Sequence, residues 1–218
     1  MLPWIRSPLC PRCGRPYPDS PISPDHLCGE CSLAPLPLDW ARSAVEHAGI
    51  VRECIHGLKF GGELYRVPPL ASLLAAALER SLPPPLPPAA FMMPVPLHIK
   101  RLRQRGFNQS ALLAISLSRR IRLPVRFDVL ARKIWTEPQT RLSHEDRLTN
   151  VKGAFSVTRT SAVAGRAVLL VDDVFTTGST LGECAQALKR AGAARVYAVT
   201  VSRPLTRRSR IPLSSQKT

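Results

Sequence analysis

The run Ala167-Val168-Leu169-Leu170-Val171-Asp172-Asp173-Val174-Phe175-Thr176-Thr177-Gly178-Ser179-Thr180 joins an apolar strand, an acidic pair, a hydroxyl-rich glycine loop and a helix start without a break. Arg166 to Val171 is short, apolar and bounded by Gly165, the pattern of a buried strand. Ser179 to Ala191 carries Leu181, Cys184, Ala185 and Leu188 at helical spacing and stops at Gly192. The loop between them therefore lies at a strand's carboxyl end. Open α/β sheets bind ligands there, and a helix N-terminus offers a phosphate its backbone N–H groups and the positive end of its dipole. Thr176, Thr177, Ser179 and Thr180 add hydroxyl groups, and Gly178 lets the backbone close around an anion. Asp172 and Asp173 do not suit a phosphate. They suit sugar hydroxyls and, through water, a magnesium ion that keeps part of its hydration shell. A plain strand-to-helix turn capped by one Ser or Thr needs no acidic pair. No Gly-x4-Gly-Lys-Ser/Thr run exists, which excludes a Walker A loop.

At 218 residues, with 22 prolines and 12 glycines, the chain has room for one sizeable α/β core and a small appendage. The expected division is a knuckle over residues 1–38, a main domain over 39–204 and a basic, disordered tail over 205–218. The first twenty residues hold Arg6, Arg12 and Arg15 with no apolar h-region, and no 18-residue apolar run follows. A soluble, cytoplasmic protein without membrane insertion is expected. The formal charge of +16 is clustered: Lys100 to Lys133 holds ten basic residues against Asp128 alone, and Arg203 to Thr218 holds five and no acid. Such clustering marks a polyanionic partner, with nucleic acid the commonest, although a solvated basic surface has the same composition.

Cys10-x2-Cys13 and Cys28-x2-Cys31 have the spacing of a zinc ribbon. Each turn can present two thiolates to one tetrahedral Zn²⁺, and the proline-broken loop between them is too short to bury a core, so metal would supply the folding free energy. With four protein ligands the ion would be structural. Two disulfides or a bare redox pair are the alternatives, and an intracellular compartment disfavours disulfides. His26 lies between the pairs and could replace a ligand. Cys54 and Cys184 read as small buried hydrophobes.

Elsewhere the pattern predicts strands over Ala41–His47, Ala90–Val95, Val125–Leu130 and Arg195–Val201, with helices over Ile50–Leu58 and Pro68–Arg80. Leu82 to Pro88 is a stiff connector. Gly106 to Arg120 reads as a loop-to-helix start and helix. Alternating strands and helices indicate a mostly parallel, twisted sheet. Ahead of the Gly106 helix, Pro94-Val95-Pro96-Leu97-His98 and then Arg101, Arg103 and Arg105 form a second loop, whose guanidinium groups suit a pyrophosphate. A third segment, from Arg132 and Lys133 through Thr136, Gln139, Arg141, Arg147 and Asn150 to Phe155, is polar and weakly periodic, the composition of a mobile lid.

The Asp172–Thr180 segment closely resembles the signature of the type I phosphoribosyltransferases, which hold phosphoribosyl pyrophosphate (PRPP). Together with the four cysteines, Lys59-Phe60-Gly61, Pro94-Val95-Pro96-Leu97, Arg105-Gly106-Phe107-Asn108-Gln109, Thr136-x2-Gln139 and Arg147-x2-Asn150-Val151-x-Gly153-Ala154-Phe155, nearly the whole chain resembles the ComF family, linked to DNA uptake in competent bacteria. That resemblance implies a type I phosphoribosyltransferase fold carrying structural zinc on Cys10, Cys13, Cys28 and Cys31, and a site for PRPP with Mg²⁺. Asp172 and Asp173 would orient the ribose, and Thr176, Thr177, Gly178, Ser179 and Thr180 would hold the 5′-phosphate. Arg101 or Arg105 would face the pyrophosphate, and Arg132, Lys133 or a lid arginine such as Arg147 would close over it. Two functions follow: a PRPP-binding protein of DNA uptake that contacts single-stranded DNA, for which Phe60, Trp135 and Phe155 are the candidate stacking rings, or a phosphoribosyltransferase whose acceptor no segment of the sequence identifies.

Overall fold

A computed structural model describes residues 2–17, 25–80, 90–135 and 152–205. The expected connector Leu82–Pro88, most of the lid segment including Thr136, Gln139, Arg141, Arg147 and Asn150, and the tail beyond residue 205 lie outside them.

Four strands make one parallel sheet: β1 (Trp40–Glu46), β2 (Phe91–Pro94), β5 (Ala167–Val174) and β6 (Arg195–Arg203), in the order β1-β6-β5-β2. Both faces are covered, which is why the strands read as continuous apolar runs. Alternate residues divide between two cores. Val168 and Leu170 of β5, with Phe91, Met93, Val196 and Ala198, pack against helix α6 (Ser179–Arg190) and the four knuckle cysteines. Leu169 and Val171, with Met92, Tyr197 and Val199, pack against α2 (Gly49–Gly61), α3 (Val67–Arg80) and α5 (Gln109–Ile121). The N-terminal segment covers the β1 edge. Trp4 bridges Val45 antiparallel, and the Ile5 and Glu46 amides donate to Ala44 and Pro3 carbonyls at 3.0 and 2.8 Å. The sheet therefore presents no bare β1 edge there.

Several expectations need correction. The acidic pair does not follow the strand but belongs to it. β6 continues to Arg203 and supplies ladder partners for β5 as far as Val174, so Asp172 pairs in register with Thr200. Val125 to Leu130 is not a sheet strand. Val125 makes a single bridge to Met92, after which Phe127 and Asp128 turn out to solvent, and Asp128 is held by Arg126 and Arg159 at 3.5 and 2.6 Å. The chain re-enters as β3 (Leu130–Arg132), antiparallel to β4 (Phe155–Val157). The arginine loop is a short helix, α4 (Ile99–Arg105), capped by the His98 ring at the Lys100 amide and ended by Gly106 at φ +82°. Only Ile99 and Leu102 in it are apolar, too few to show helical periodicity. A five-residue helix, α1 (Gly29–Leu33), carries the last cysteine of the knuckle.

Candidate functional site

A cleft of about 800 Å³ opens at the carboxyl ends of β2 and β5. Its floor is Asp172, Asp173, Phe175 and Leu181; Val95, Pro96 and Leu97 after β2 and Arg101 and Arg105 of α4 form one side. Lys59 and Phe60, from the last turn of α2, and Arg132 of β3 complete it. Arg101 and Arg105 thus stand beside the acids, as the sequence suggests. Thr176, Gly178 and Thr180 line the cleft, whereas Thr177 and Ser179 share a hydroxyl–hydroxyl bond of 2.5 Å and lie behind its wall. Gly178, at φ +80°, has no room for a side chain: a Cβ would lie 2.7 Å from Phe175 Cζ and 2.9 Å from Leu36 Cδ1. The glycine is thus required both by backbone conformation and by packing.

The acid pair is buried, and its two carboxylates accept from consecutive residues of α5, while only Asp173 reaches Lys59 of α2. Asp173 is ion-paired with Lys59 Nζ and accepts from Gln109 Nε2 at 3.2 Å. Asp172 Oδ1 accepts from Ser110 Oγ at 2.7 Å and from the Asp173 amide at 2.9 Å. Burial and the neighbouring Asp173 charge push the Asp172 carboxyl up to about 7. Burial also opposes ionisation of Asp173, but the Lys59 ammonium overcomes it and holds that carboxyl below the ordinary range. Near neutrality the pair is therefore partly protonated, with the proton carried by Asp172 and not Asp173. Burial lowers the pKa of the Arg101, Arg105 and Arg132 guanidinium groups without discharging them. Arg105 Nη1 donates to Gln109 Oε1 at 2.5 Å, and its guanidinium lies 5.3 Å over the Phe60 ring. Arg101 Nη2 is buried with no hydrogen-bond partner among the described residues. Ser110 was not foreseen as a site residue; Lys59 and Gln109 appeared only within motifs, and Phe60 only there and as a candidate stacking ring. The signal available was Lys59-Phe60 placed directly before the helix-ending Gly61-Gly62.

On the other side of the sheet the four cysteines come together, all buried, with ligand atoms within 4.8 Å of one another. The Cys13 and Cys28 sulfurs are 3.7 Å apart, far beyond a disulfide bond and close to the roughly 3.8 Å edge of a tetrahedron with Zn–S bonds of about 2.3 Å. No disulfide joins the cysteines, and the donor set fits a structural zinc ion. The Cys28 and Cys31 amides point at the Cys10 and Cys28 sulfurs, both at 3.4 Å, as thiolate acceptors favour. His26 is not in the cluster; its ring stacks on Tyr17 at 4.2 Å. Cys184 is buried in the core as expected, while half-buried Cys54 accepts from Arg66 Nη1 at 3.0 Å. Buried Arg203 ties the knuckle to the cleft, donating to the Cys13 carbonyl at 2.6 Å while its guanidinium covers Phe175 at 4.7 Å.

The basic stretch after β2 also carries an aromatic group outside the cleft. Trp135 has the Lys100 and Arg101 cations 5.8 and 5.4 Å from its ring and the His98 ring at 5.3 Å. Phe60 is 67% exposed, but Phe155 is only 7% exposed, lies under Arg132 and cannot serve as a stacking platform. No helix among the described residues is long and apolar enough to cross a membrane.

Residues 108–213 match the family model described as phosphoribosyl transferase domain. The chain is 37% identical to "DNA utilization protein YhgH" of Escherichia coli K12 over 201 residues, covering 90% of this chain and 85% of that protein. It is 39% identical to "Competence protein F" of Haemophilus influenzae over 142 residues, 63% of this chain and 61% of that one. Among solved structures, a hypoxanthine phosphoribosyl transferase of Trypanosoma cruzi aligns with a TM-score of 0.37 at 18% identity, over 70% of each chain.

The acid pair sets a pH dependence. A carboxyl raised to about 7 binds its proton more tightly folded than unfolded, so its contribution to stability is fully present below about pH 4 and is lost as pH rises through about 7. Asp173, shifted down, acts in the opposite sense and only at lower pH. In urea melts across this window, Asp172→Asn is expected to remove the decline in stability that the unsubstituted protein shows; an unchanged slope would place the proton elsewhere.

Proposed function

Because the chain belongs to the ComF family, that of DNA utilization protein YhgH and competence protein F, we propose that it binds PRPP with Mg²⁺ in this cleft and acts in DNA uptake, contacting single-stranded DNA in the cytoplasm. One observation carries the reading: a buried acid pair, a glycine-hinged hydroxyl loop and partly desolvated arginines converge on one cleft. Asp172 and Asp173 would accept hydrogen bonds from the ribose hydroxyls. Thr176, Gly178 and Thr180, at the start of α6, would receive the 5′-phosphate, where unpaired helix amides favour an anion, with Thr177 and Ser179 shaping the loop from behind. Arg101 and Arg105 would face the pyrophosphate, with Arg147 closing over it. The acids offer oxygen donors only, which suits Mg²⁺ held through water and the ligand's own phosphates, where it would neutralise pyrophosphate charge. Zinc would occupy the knuckle.

A second reading, phosphoribosyl transfer, draws support from Phe60, an exposed aromatic wall beside the arginines that suits a planar acceptor. In that reaction the bond from the anomeric carbon to pyrophosphate breaks, a new bond forms from the acceptor nitrogen to the same carbon, and pyrophosphate leaves with the bonding electrons. The acceptor's displaced proton passes to solvent or to a cleft carboxylate. Arg101 and Arg105 would stabilise the departing charge.

Calorimetry with PRPP and Mg²⁺ is the first test: binding is expected, and Asp172→Asn with Asp173→Asn should weaken it at least about a hundredfold, the scale of two charge-assisted hydrogen bonds. Unchanged affinity would sink the assignment. Metal analysis should find one zinc per chain, and a Cys10→Ser, Cys28→Ser variant should lose the metal and several degrees of melting temperature. For DNA, the binding constant should fall steeply with salt, as phosphate neutralisation requires, and Trp135→Ala should weaken it by about 1–3 kcal/mol; salt-independent binding would contradict the basic surface as the contact.

A further inference from the structure

We propose that Lys59 is the resident counter-ion of the acid pair, a positioning residue that keeps the Asp173 carboxylate available as an acceptor for the sugar diol of the ligand. The proposal rests on the PRPP reading above and adds the end of α2, more than a hundred residues upstream of the acids, to the machinery of the site.

The geometry sets Lys59 apart from an ordinary surface lysine. Its side chain is 22% exposed and spans from α2 to Asp173, whose own side chain is 5% exposed. The helix does not need this contact for its packing. Val51, Ile55 and Leu58 already bury its apolar face in the second core, and Lys59 and Phe60 then turn toward the cleft. The root of the lysine is anchored. Gly62 ends the helix in the left-handed region at φ +65°, and the Glu63 carboxylate folds back so closely that a Cβ on Gly57 or Gly61 would meet it at 2.9 Å. Glu63 is itself fixed by Arg66 and by the Tyr65 hydroxyl at 2.6 Å. A buried ion pair adds little net stability, because desolvation offsets attraction, but removing one partner leaves an uncompensated charge. The cost of losing Lys59 therefore falls on Asp173.

Other charges around the pair do not replace it. Arg105 of α4 feels both acids but directs its hydrogen bond to Gln109, and Arg132 of β3 and the Cys184 thiol of α6 feel Asp172. His47, just past β1, is kept largely neutral by burial and by Lys59 itself, and it hydrogen-bonds Ser202 Oγ at 2.9 Å. Gln109 and Ser110 of α5 contribute neutral donors only. Without the ammonium, the pair holds its shared proton to higher pH, and a carboxyl that carries the proton has lost acceptor capacity toward a diol.

The test has two arms. In carboxyl carbon NMR without ligand, Lys59→Met should raise the titration of the acid pair by about one unit or more, and Lys59→Arg should restore it. In calorimetry with PRPP and Mg²⁺ across the same pH range, Lys59→Met should bind about tenfold or more weakly, with its acid limb displaced to higher pH, and Lys59→Arg should recover most of both. An unmoved acid limb and unchanged affinity in Lys59→Met overturn the proposal. Should Lys59→Met fail to fold, reductive ¹³C-methylation of the intact protein leaves the charge in place. The Lys59 resonance must then shift in Asp173→Asn, and its indifference overturns the proposal equally. If the unsubstituted protein does not bind PRPP, the reading of the cleft fails while the NMR arm still decides the Lys59–Asp173 pairing.

Discussion

Two carboxylates at consecutive positions of a buried strand are the constraint from which the rest of the site follows. Neither could be ionised there alone, because desolvation and mutual repulsion act in the same direction. Their partners separate the two. Asp173 takes the cation of α2 and an amide of α5, while Asp172 takes a hydroxyl and a backbone N–H and stays partly protonated near neutrality. α2 and α5 thus each have a polar obligation at the cleft as well as an apolar one along their length. The second core and the site are built from the same helices, so core packing fixes where the donors stand.

The opposite face repeats the arrangement with the four-cysteine knuckle and α6. The knuckle cysteines share a core with Phe175 and Leu181, which flank the glycine loop, and Leu36, three residues past α1, presses on Gly178. Two buried arginines from the sheet fasten it. Arg42 donates to carbonyls of Cys10, Pro11 and Ala41 at 3.4, 3.3 and 2.9 Å, and Arg203 donates to that of Cys13. Guanidinium groups suit this task, since several carbonyls can be satisfied by one planar cation that also lies over Trp40 or Phe175. The small N-terminal appendage is thereby a wall of the glycine loop, with Leu36 packed against Gly178.

The sequence was most legible where one physical requirement produced one pattern. Double burial of β5 wrote an uninterrupted apolar run, four thiolates wrote two Cys-x2-Cys turns, and the glycine loop stood at a strand-to-helix junction. It was misleading where tertiary pairing decides. Asp172 and Asp173 carry loop composition, yet β6 holds them in the ladder. Val125 to Leu130 has strand composition, but Arg126 and Asp128 prefer surface ion pairs, and the true pairing partner, Phe155–Val157, lies across the polar segment. Lys59 was visible only as part of a motif because no local pattern connects a lysine in a helix to a carboxylate in a distant strand. That link is made by the fold alone.

The charge balance of the cleft argues for the kind of ligand more strongly than for any reaction. Lys59, Arg101, Arg105 and Arg132 stand around Asp172 and Asp173, and the Asp172 carboxyl, raised to about 7, is only partly ionised near neutrality. The cavity is therefore markedly cationic except at its floor, where acceptors are concentrated. A simple phosphate would satisfy the walls and be repelled below; a neutral sugar would satisfy the floor and leave the positive charge of the walls unbalanced. A molecule with hydroxyls at its centre and phosphates at its ends satisfies both. The proposed ligand, PRPP, is of that kind, whether its bond to pyrophosphate is later broken or only held.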